Sequence, residues 1–318
     1  MVGKTNKVAS IMHDIKALNI QGASRVAQAA AKALVIATKK SKAKNTDELI
    51  KELSSVSNKL ISLRPTEPMV RNTLKYFMAY IEDGQAVKDM KRIAEETERR
   101  YEKEFSDNFN KIVEYGASLI EPGSVVLTHC HSTTVNAILI KANKKKKIKV
   151  FATETRPMFQ GHQTAKQLSS AGVDVTLIVD SAVGYVMKTE HPDLVMVGSD
   201  SITAQGHLFN KIGTSGIAIL ASTYGVPFYS ATQLYKFDPI SKWGKMTEIE
   251  MRSPKEVLKQ KIPKVNVLNP AFDITDAKYI NAYVTEAGIV PPQEIMHLAG
   301  RFGQLNVGIE GKRWQIIK

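Results

Sequence analysis

Apolar positions in the first third of the chain recur every three to four residues. Val8, Ile11, Met12, Ile15 and Leu18 share one face of a 3.6-residue period, which predicts a short amphipathic helix. Residues 24–40 are rich in alanine and predict a second helix. Asn45-Thr46-Asp47-Glu48 offers a capping side chain and an acidic first turn. A third helix therefore opens there, runs through Leu49, Leu53, Val56 and Leu60, and stops before Pro65. Residues 67–81 and 87–119 predict two more, the second long and laced with charge.

The pattern changes after Glu121-Pro122-Gly123. Short apolar runs at 124–128, 149–152, 173–179, 194–197 and 227–230 read as strands, with helical stretches at about 132–143, 161–171, 181–188 and 213–224 between them. That alternation predicts an α/β fold: a Rossmann-like, mostly parallel sheet with helices on both faces, preceded by a helical domain. The expected organisation is a helical domain over 1–120, a sheet domain over 121–303 and an extension over 304–318. The stretch 237–265 is less regular.

Composition narrows the partners. Hydrophobic residues at 43% and charged residues at 24% describe an ordered globular chain, while a net charge of +13 points to an anionic partner. The basic clusters at 39–44 and 144–147 are not interleaved with aromatic residues, and no zinc-finger, RRM or helix-turn-helix signature occurs, which disfavours nucleic acid. No stretch of 18 or more uncharged apolar residues suggests a membrane span. Cys130 is the single cysteine, so no internal disulfide exists. Together with His13, Asp14 and Lys16 interrupting the early apolar pattern, this leads us to expect a soluble, cytoplasmic protein.

In an open α/β sheet, ligands bind outside the carboxyl ends of the strands. Here those ends carry Thr128-His129-Cys130-His131, Thr153-Glu154-Thr155-Arg156, Asp180-Ser181 and Gly198-Ser199-Asp200. Turn and cap chemistry accounts for part of this, and Asp180 reads as a helix cap. Cys130, between a strand and a helix, is either an inert thiol or one activated by the helix dipole. Asp200 either caps its turn or serves as a partly desolvated general acid. Asn210-Lys211-Ile212-Gly213-Thr214 supplies an amide, a cation and a glycine before a helix, a pattern that suits a phosphate. Neither GxGxxG nor a GxxxxGK[ST] loop is present, nor metal-ligand spacing, so no cofactor or metal is expected.

Taken in order, these segments resemble one family. Thr128-His129-Cys130-His131-Ser132, Glu154-Thr155-Arg156-Pro157 with Gln160-Gly161, Asp180-Ser181-Ala182-Val183, Gly198-Ser199-Asp200 and Asn210-Lys211-Ile212-Gly213-Thr214 match it, with Gly22-Ala23 and Arg64-Pro65-Thr66 before them. Thr285-Glu286 and Ile289-Val290-Pro291-Pro292 follow. The chain resembles the superfamily of initiation factor 2B alpha/beta/delta subunits, methylthioribose-1-phosphate isomerases and archaeal ribose-1,5-bisphosphate isomerases. Its enzymes carry the cysteine and the aspartate, and its regulatory subunits usually lack one or both.

The resemblance implies conversion of ribose 1,5-bisphosphate to ribulose 1,5-bisphosphate in nucleoside and AMP breakdown. Asp200 would open the ring as general acid, and Cys130 would act as base; a hydride shift from C2 to C1 stays open. It implies phosphate and sugar contacts from Gln21, Gly22, Ala23, Ser24, Arg64, Gln160, Asn210, Lys211 and Lys236. It also implies a homo-oligomer, a dimer or hexamer, and AMP as an activator. A regulatory subunit or a methylthioribose-1-phosphate isomerase is the alternative. One departure stands out. Gln21 replaces the family's arginine, and loss of a charged phosphate contact costs about 1.5–3 kcal/mol.

Overall fold

The computed structural model describes residues 7–20, 22–243 and 248–298; Gln21 and the expected extension over 304–318 lie outside them. The described chain divides into two compact units, one ending at Asp107 and one comprising Asn108–Leu298.

The first unit is helical: α1 (Lys7–Lys16), α2 (Ala23–Lys40), α3 (Thr46–Leu63), α4 (Pro68–Ile81) and the start of α5 (Val87–Ser118). The Asn45 side chain accepts the Glu48 N–H at 2.9 Å, which is the expected cap of α3. The alanine stripe of α2 lets it pack closely on α4, placing Ala27, Ala30 and Leu34 in a core shared with Met69, Leu74 and Phe77. Tyr101 of α5 is buried edge-on to Phe77, and its hydroxyl is 3.1 Å from that of Thr73.

The second unit contains a seven-stranded sheet. In chain order the elements are β1 (Val125–Thr128), α6 (Thr133–Lys146), β2 (Lys149–Thr153), α7 (Gln160–Ser170), β3 (Asp174–Ile178), α8 (Val183–Thr189) and β4 (Leu194–Val197). After these come β5 (Ser201–Ile202), β6 (Leu208–Lys211), α9 (Thr214–Thr223), β7 (Phe228–Ala231), α10 (Pro254–Val257), β8 (Phe272–Thr275), β9 (Ala282–Thr285) and β10 (Gly288–Val290). The strand order is β10-β9-β7-β4-β1-β2-β3, parallel except for β10. From β1 the chain adds strands on one side, then returns to add β4 on the other, so the order reverses between β1 and β4. A small antiparallel sheet, β5-β6-β8, follows β4.

The apolar core lies beneath β1, β2 and β4. Val126, Val150, Leu194 and Met196 meet Val135, Ile138 and Leu139 of α6. Ile112, Val113 and Ala117 belong to the same core, so the division between units falls inside α5. Among the described residues no helix is long and apolar enough to cross a membrane.

At the end of β2, Gly161 of α7 lies against the chain. A Cβ there would stand 1.7 Å from the Thr153 carbonyl oxygen, so α7 reaches the strand end only because the residue is glycine. Gly161→Ala is expected to lower the stability of the sheet unit by about 1–3 kcal/mol. Urea unfolding reads this directly; an unshifted midpoint would show that α7 can lift away at no cost.

Candidate functional site

The carboxyl ends of β1 and β4 flank the reversal of strand order, where an open sheet leaves a crevice. Cys130 follows β1 by two residues and Asp200 follows β4 by three. Both are half-buried. Lys211, Asp200 and Asp180 are the charged groups near enough to bear on the Cys130 thiol, Lys211 lowering its pKa and the two carboxylates raising it.

Cys130 is held from both sides. Its N–H donates to the Thr155 hydroxyl at 3.0 Å, and its carbonyl accepts from the Thr164 hydroxyl at 2.8 Å. It occupies the left-handed region at φ +65°, and Thr155 does the same at +63°. A β-branched threonine in that region is strained, and such strain persists only where surrounding contacts over-determine it.

The sequence leaves the thiol either inert or activated by the helix dipole, and burial favours the first. Burial pushes the Cys130 thiol up to about 11, against the opposing pull of Lys211 and of a hydrogen bond from the His131 N–H. The cap of α6 is Ser132, whose side chain accepts the Val135 N–H, so Cys130 precedes the first turn in which a dipole acts strongly. The thiol therefore carries its proton at neutral pH.

The flanking histidines turn apart. His129 is buried, and its Nε2 lies 2.8 Å from the Ile212 carbonyl, which can only accept. Burial holds its pKa below the usual imidazole range, so the ring is neutral with its proton on Nε2, and Nδ1 accepts from the Thr153 hydroxyl at 2.6 Å. Gly213, at φ +102°, packs against this ring. His129 thus ties β1 to β2 and to the loop before α9. His131 places Nδ1 3.1 Å from the Thr164 hydroxyl.

Three carboxylates serve the site through backbone contacts. Asp180 accepts the N–H groups of Thr155 and Arg156 at 2.8 and 2.6 Å, clamping the loop that supports Cys130. It does not cap its own helical turn, as sequence had suggested. Asp273, from β8, accepts the Gly213 N–H at 2.7 Å and the Ser215 N–H at 3.2 Å. Two of the N–H groups at the start of α9, where a phosphate was expected, are therefore already engaged by a carboxylate. Burial pushes Asp273 up to about 6, with those two hydrogen bonds and Lys211 acting the other way. Glu286 accepts the Leu234 N–H, and burial pushes it up to about 7.

Lys211 is near enough to lower the pKa of the thiol, and its ammonium stands 4.8 Å from the Phe272 ring centroid. Asn210 is buried and donates to the Thr214 hydroxyl at 3.1 Å. Lys236 donates to the Ser199 carbonyl, one residue before Asp200. Gln160 opens α7 and is half-buried. In the helical unit, Gly22 precedes α2 at φ +86°, Ala23 is buried and Ser24 half-buried. Arg64 ends α3 and grips Glu67 through Nε and Nη2. From sequence, Thr155 has no role beyond a polar strand end and Thr164 and Asp273 do not stand out, because their partners lie 25, 34 and about 60 residues away.

The model of the Initiation factor 2 subunit family matches residues 19–292. The ribose 1,5-bisphosphate isomerase of Methanocaldococcus jannaschii is 42% identical over 91% of this chain and 92% of its own. That of Thermococcus kodakarensis is 39% identical over 90% and 91%. The methylthioribose-1-phosphate isomerase of Desulforamulus reducens is 35% identical over 90% and 87%. Among solved structures, the 5-methylthioribose 1-phosphate isomerase of Pyrococcus horikoshii superposes with a TM-score of 0.78 at 29% identity, covering 92% of this chain and 87% of its own. The translation initiation factor eIF-2B of the same organism gives 0.76 at 28%, covering 91% and 98%.

A histidine whose folded pKa is depressed stabilises the fold only while its unfolded form is also neutral. The His129 contribution is full above the ordinary imidazole value of 6.5 and is lost as pH falls below it. The melting temperature of the native protein, less that of His129→Gln, is expected to shrink from pH 7.5 to pH 5. A difference independent of pH would show that the fold does not depress the ring's pKa.

Proposed function

We propose, for a chain that belongs to the Initiation factor 2 subunit family, that its sheet unit isomerises ribose 1,5-bisphosphate to ribulose 1,5-bisphosphate. The observation that carries this reading is that Cys130 and Asp200 follow β1 and β4, the two strands beside the reversal, with Asp200 and Lys211 both near enough to act on the thiol. Relatives of that name, similar over about nine-tenths of both chains, support the choice of sugar.

A pentose with phosphate on its anomeric oxygen cannot open its ring unaided. One group must deliver a proton to the ring oxygen as the bond from C1 breaks. Another must take the proton from C2, leaving an enol phosphate that is reprotonated at C1 while the C2 hydroxyl becomes the ketone. Neither oxidant nor reductant is consumed. The resemblance assigns donation to Asp200 and acceptance to Cys130. Burial of the thiol argues for the opposite order, because Cys130 enters the cycle already protonated. In this reading Cys130 is the donor and the Asp200 carboxylate the acceptor. Lys211 and Lys236 supply cations for phosphate oxygens, with Gln160 reading hydroxyls and Asn210 holding the Lys211 loop through Thr214.

The likeness to eIF-2B favours a second reading, a regulatory subunit. Turnover of ribose 1,5-bisphosphate and methylthioribose 1-phosphate, run side by side, separates all three. The bisphosphate is expected to react, and Cys130→Ser and Asp200→Asn each to lower kcat by roughly 10²–10⁴-fold. Full activity in either variant removes the pair from the chemistry, and no turnover of either sugar leaves the regulatory reading. The roles are decided by kcat/KM against pH. A donor thiol loses activity as pH rises towards about 11, whereas a thiolate base gains it over the same range.

The same reading places the enzyme in cytoplasmic nucleoside and AMP breakdown, as a dimer or hexamer activated by AMP. Light scattering and turnover with and without AMP check both: a rise in rate with an assembly larger than one chain is expected, and a monomer indifferent to AMP would refute them.

A further inference from the structure

Glu286 has no part in the chemistry above, yet it is a carboxylate only 4% exposed at the end of β9. Its two oxygens lie 3.1 Å from the Leu234 N–H. The contact follows from the register. Ala231 pairs with Val284, and the Thr232 N–H donates to the Val284 carbonyl at 2.9 Å, so the chain leaving β7 runs beside the residues that end β9. Leu234 opens the helical turn Leu234–Lys236, closed by the Phe237 N–H on the Leu234 carbonyl at 3.0 Å. The last residue of that turn sends its ammonium to the Ser199 carbonyl, the peptide that carries Asp200.

We propose that Glu286 is a positioning residue: by fixing the first N–H of the 234–236 turn, it holds Lys236 against the Ser199 carbonyl and so sets a cation beside Asp200. The proposal rests on the reading of Lys236 as a phosphate contact. A turn three residues long has no core of its own. Its orientation depends on what fixes its two ends, and Glu286 fixes the end opposite the lysine. Hydrogen bonding, and not charge, performs this task, since one carboxyl oxygen is enough to accept one N–H. Burial also pushes Glu286 up to about 7, against its backbone hydrogen bonds and the charge of Lys111, so that about half of it is protonated at pH 7.

A contact that serves only stability leaves substrate affinity alone, whereas one that places a phosphate partner moves KM at nearly constant kcat. Glu286→Ala is expected to raise KM for ribose 1,5-bisphosphate about tenfold, and Glu286→Gln, which keeps an accepting oxygen, to stay within about twofold of the native enzyme. If the alanine variant does not fold, Glu286→Asp, whose shorter side chain withdraws the acceptor, is expected to show the same rise. Lys236→Ala is expected to raise KM at least as far, and adding Glu286→Ala (or Glu286→Asp) to it to cause no further rise, because both changes remove one interaction. If Lys236→Ala raises KM and the second change multiplies that effect, or if Glu286→Gln is as impaired as Glu286→Ala, the positioning role is overturned while the reading of Lys236 stands. If Lys236→Ala leaves KM unchanged, that reading fails and the proposal falls with it.

Discussion

The reversal of strand order between β1 and β4 is the constraint on which the sheet unit depends. Neighbouring parallel strands end at the same edge, and their connections leave that edge on opposite faces of the sheet where the order turns. No helix can cover the gap between the two departing chains. Whatever follows β1 and β4 is therefore left partly open, and here that is Cys130 and Asp200. The rest of the local architecture holds these two in place against backbone strain. The hydroxyls of Thr155 and Thr164 pin the peptide of Cys130, Asp180 pins Thr155, and His129 joins both to the loop before α9.

Much of this was legible in the chain. The strands at the centre of the sheet are apolar runs bounded by turn residues, and the helices of the first unit show in apolar spacing, alanine content and the Asn45 cap. What escaped notice was short or depended on distant partners. Ser201–Ile202 is too brief to alternate, and Phe272–Thr275 pairs with Leu208–Lys211 across some 60 residues. The ends of β9 and β10 looked like family signatures rather than strands.

The same limit applied to individual side chains. Asp180 resembled a helix cap because capping is what an aspartate at a strand-to-helix junction most often does. Its true partners, the N–H groups of Thr155 and Arg156, become visible only once β2 and β3 are placed side by side. Position alone likewise leaves Cys130 open between an inert and an activated thiol. Helix proximity can be read from sequence, but the protein packed around the sulfur cannot, and packing is the larger effect.

The Asp273 carboxylate at the start of α9 has a wider consequence. With the Gly213 and Ser215 amides there already engaged, attraction for anions near Lys211 leans on the ammonium on its flexible stem more than on a rigid cradle of fixed dipoles. A cradle fits one anion at one distance. Tethered cations follow their ligand, at the expense of sensitivity to ionic strength. Under the proposed function, a scaffold of this design changes its preferred sugar phosphate through small changes at the rim, with Cys130 and Asp200 left in place.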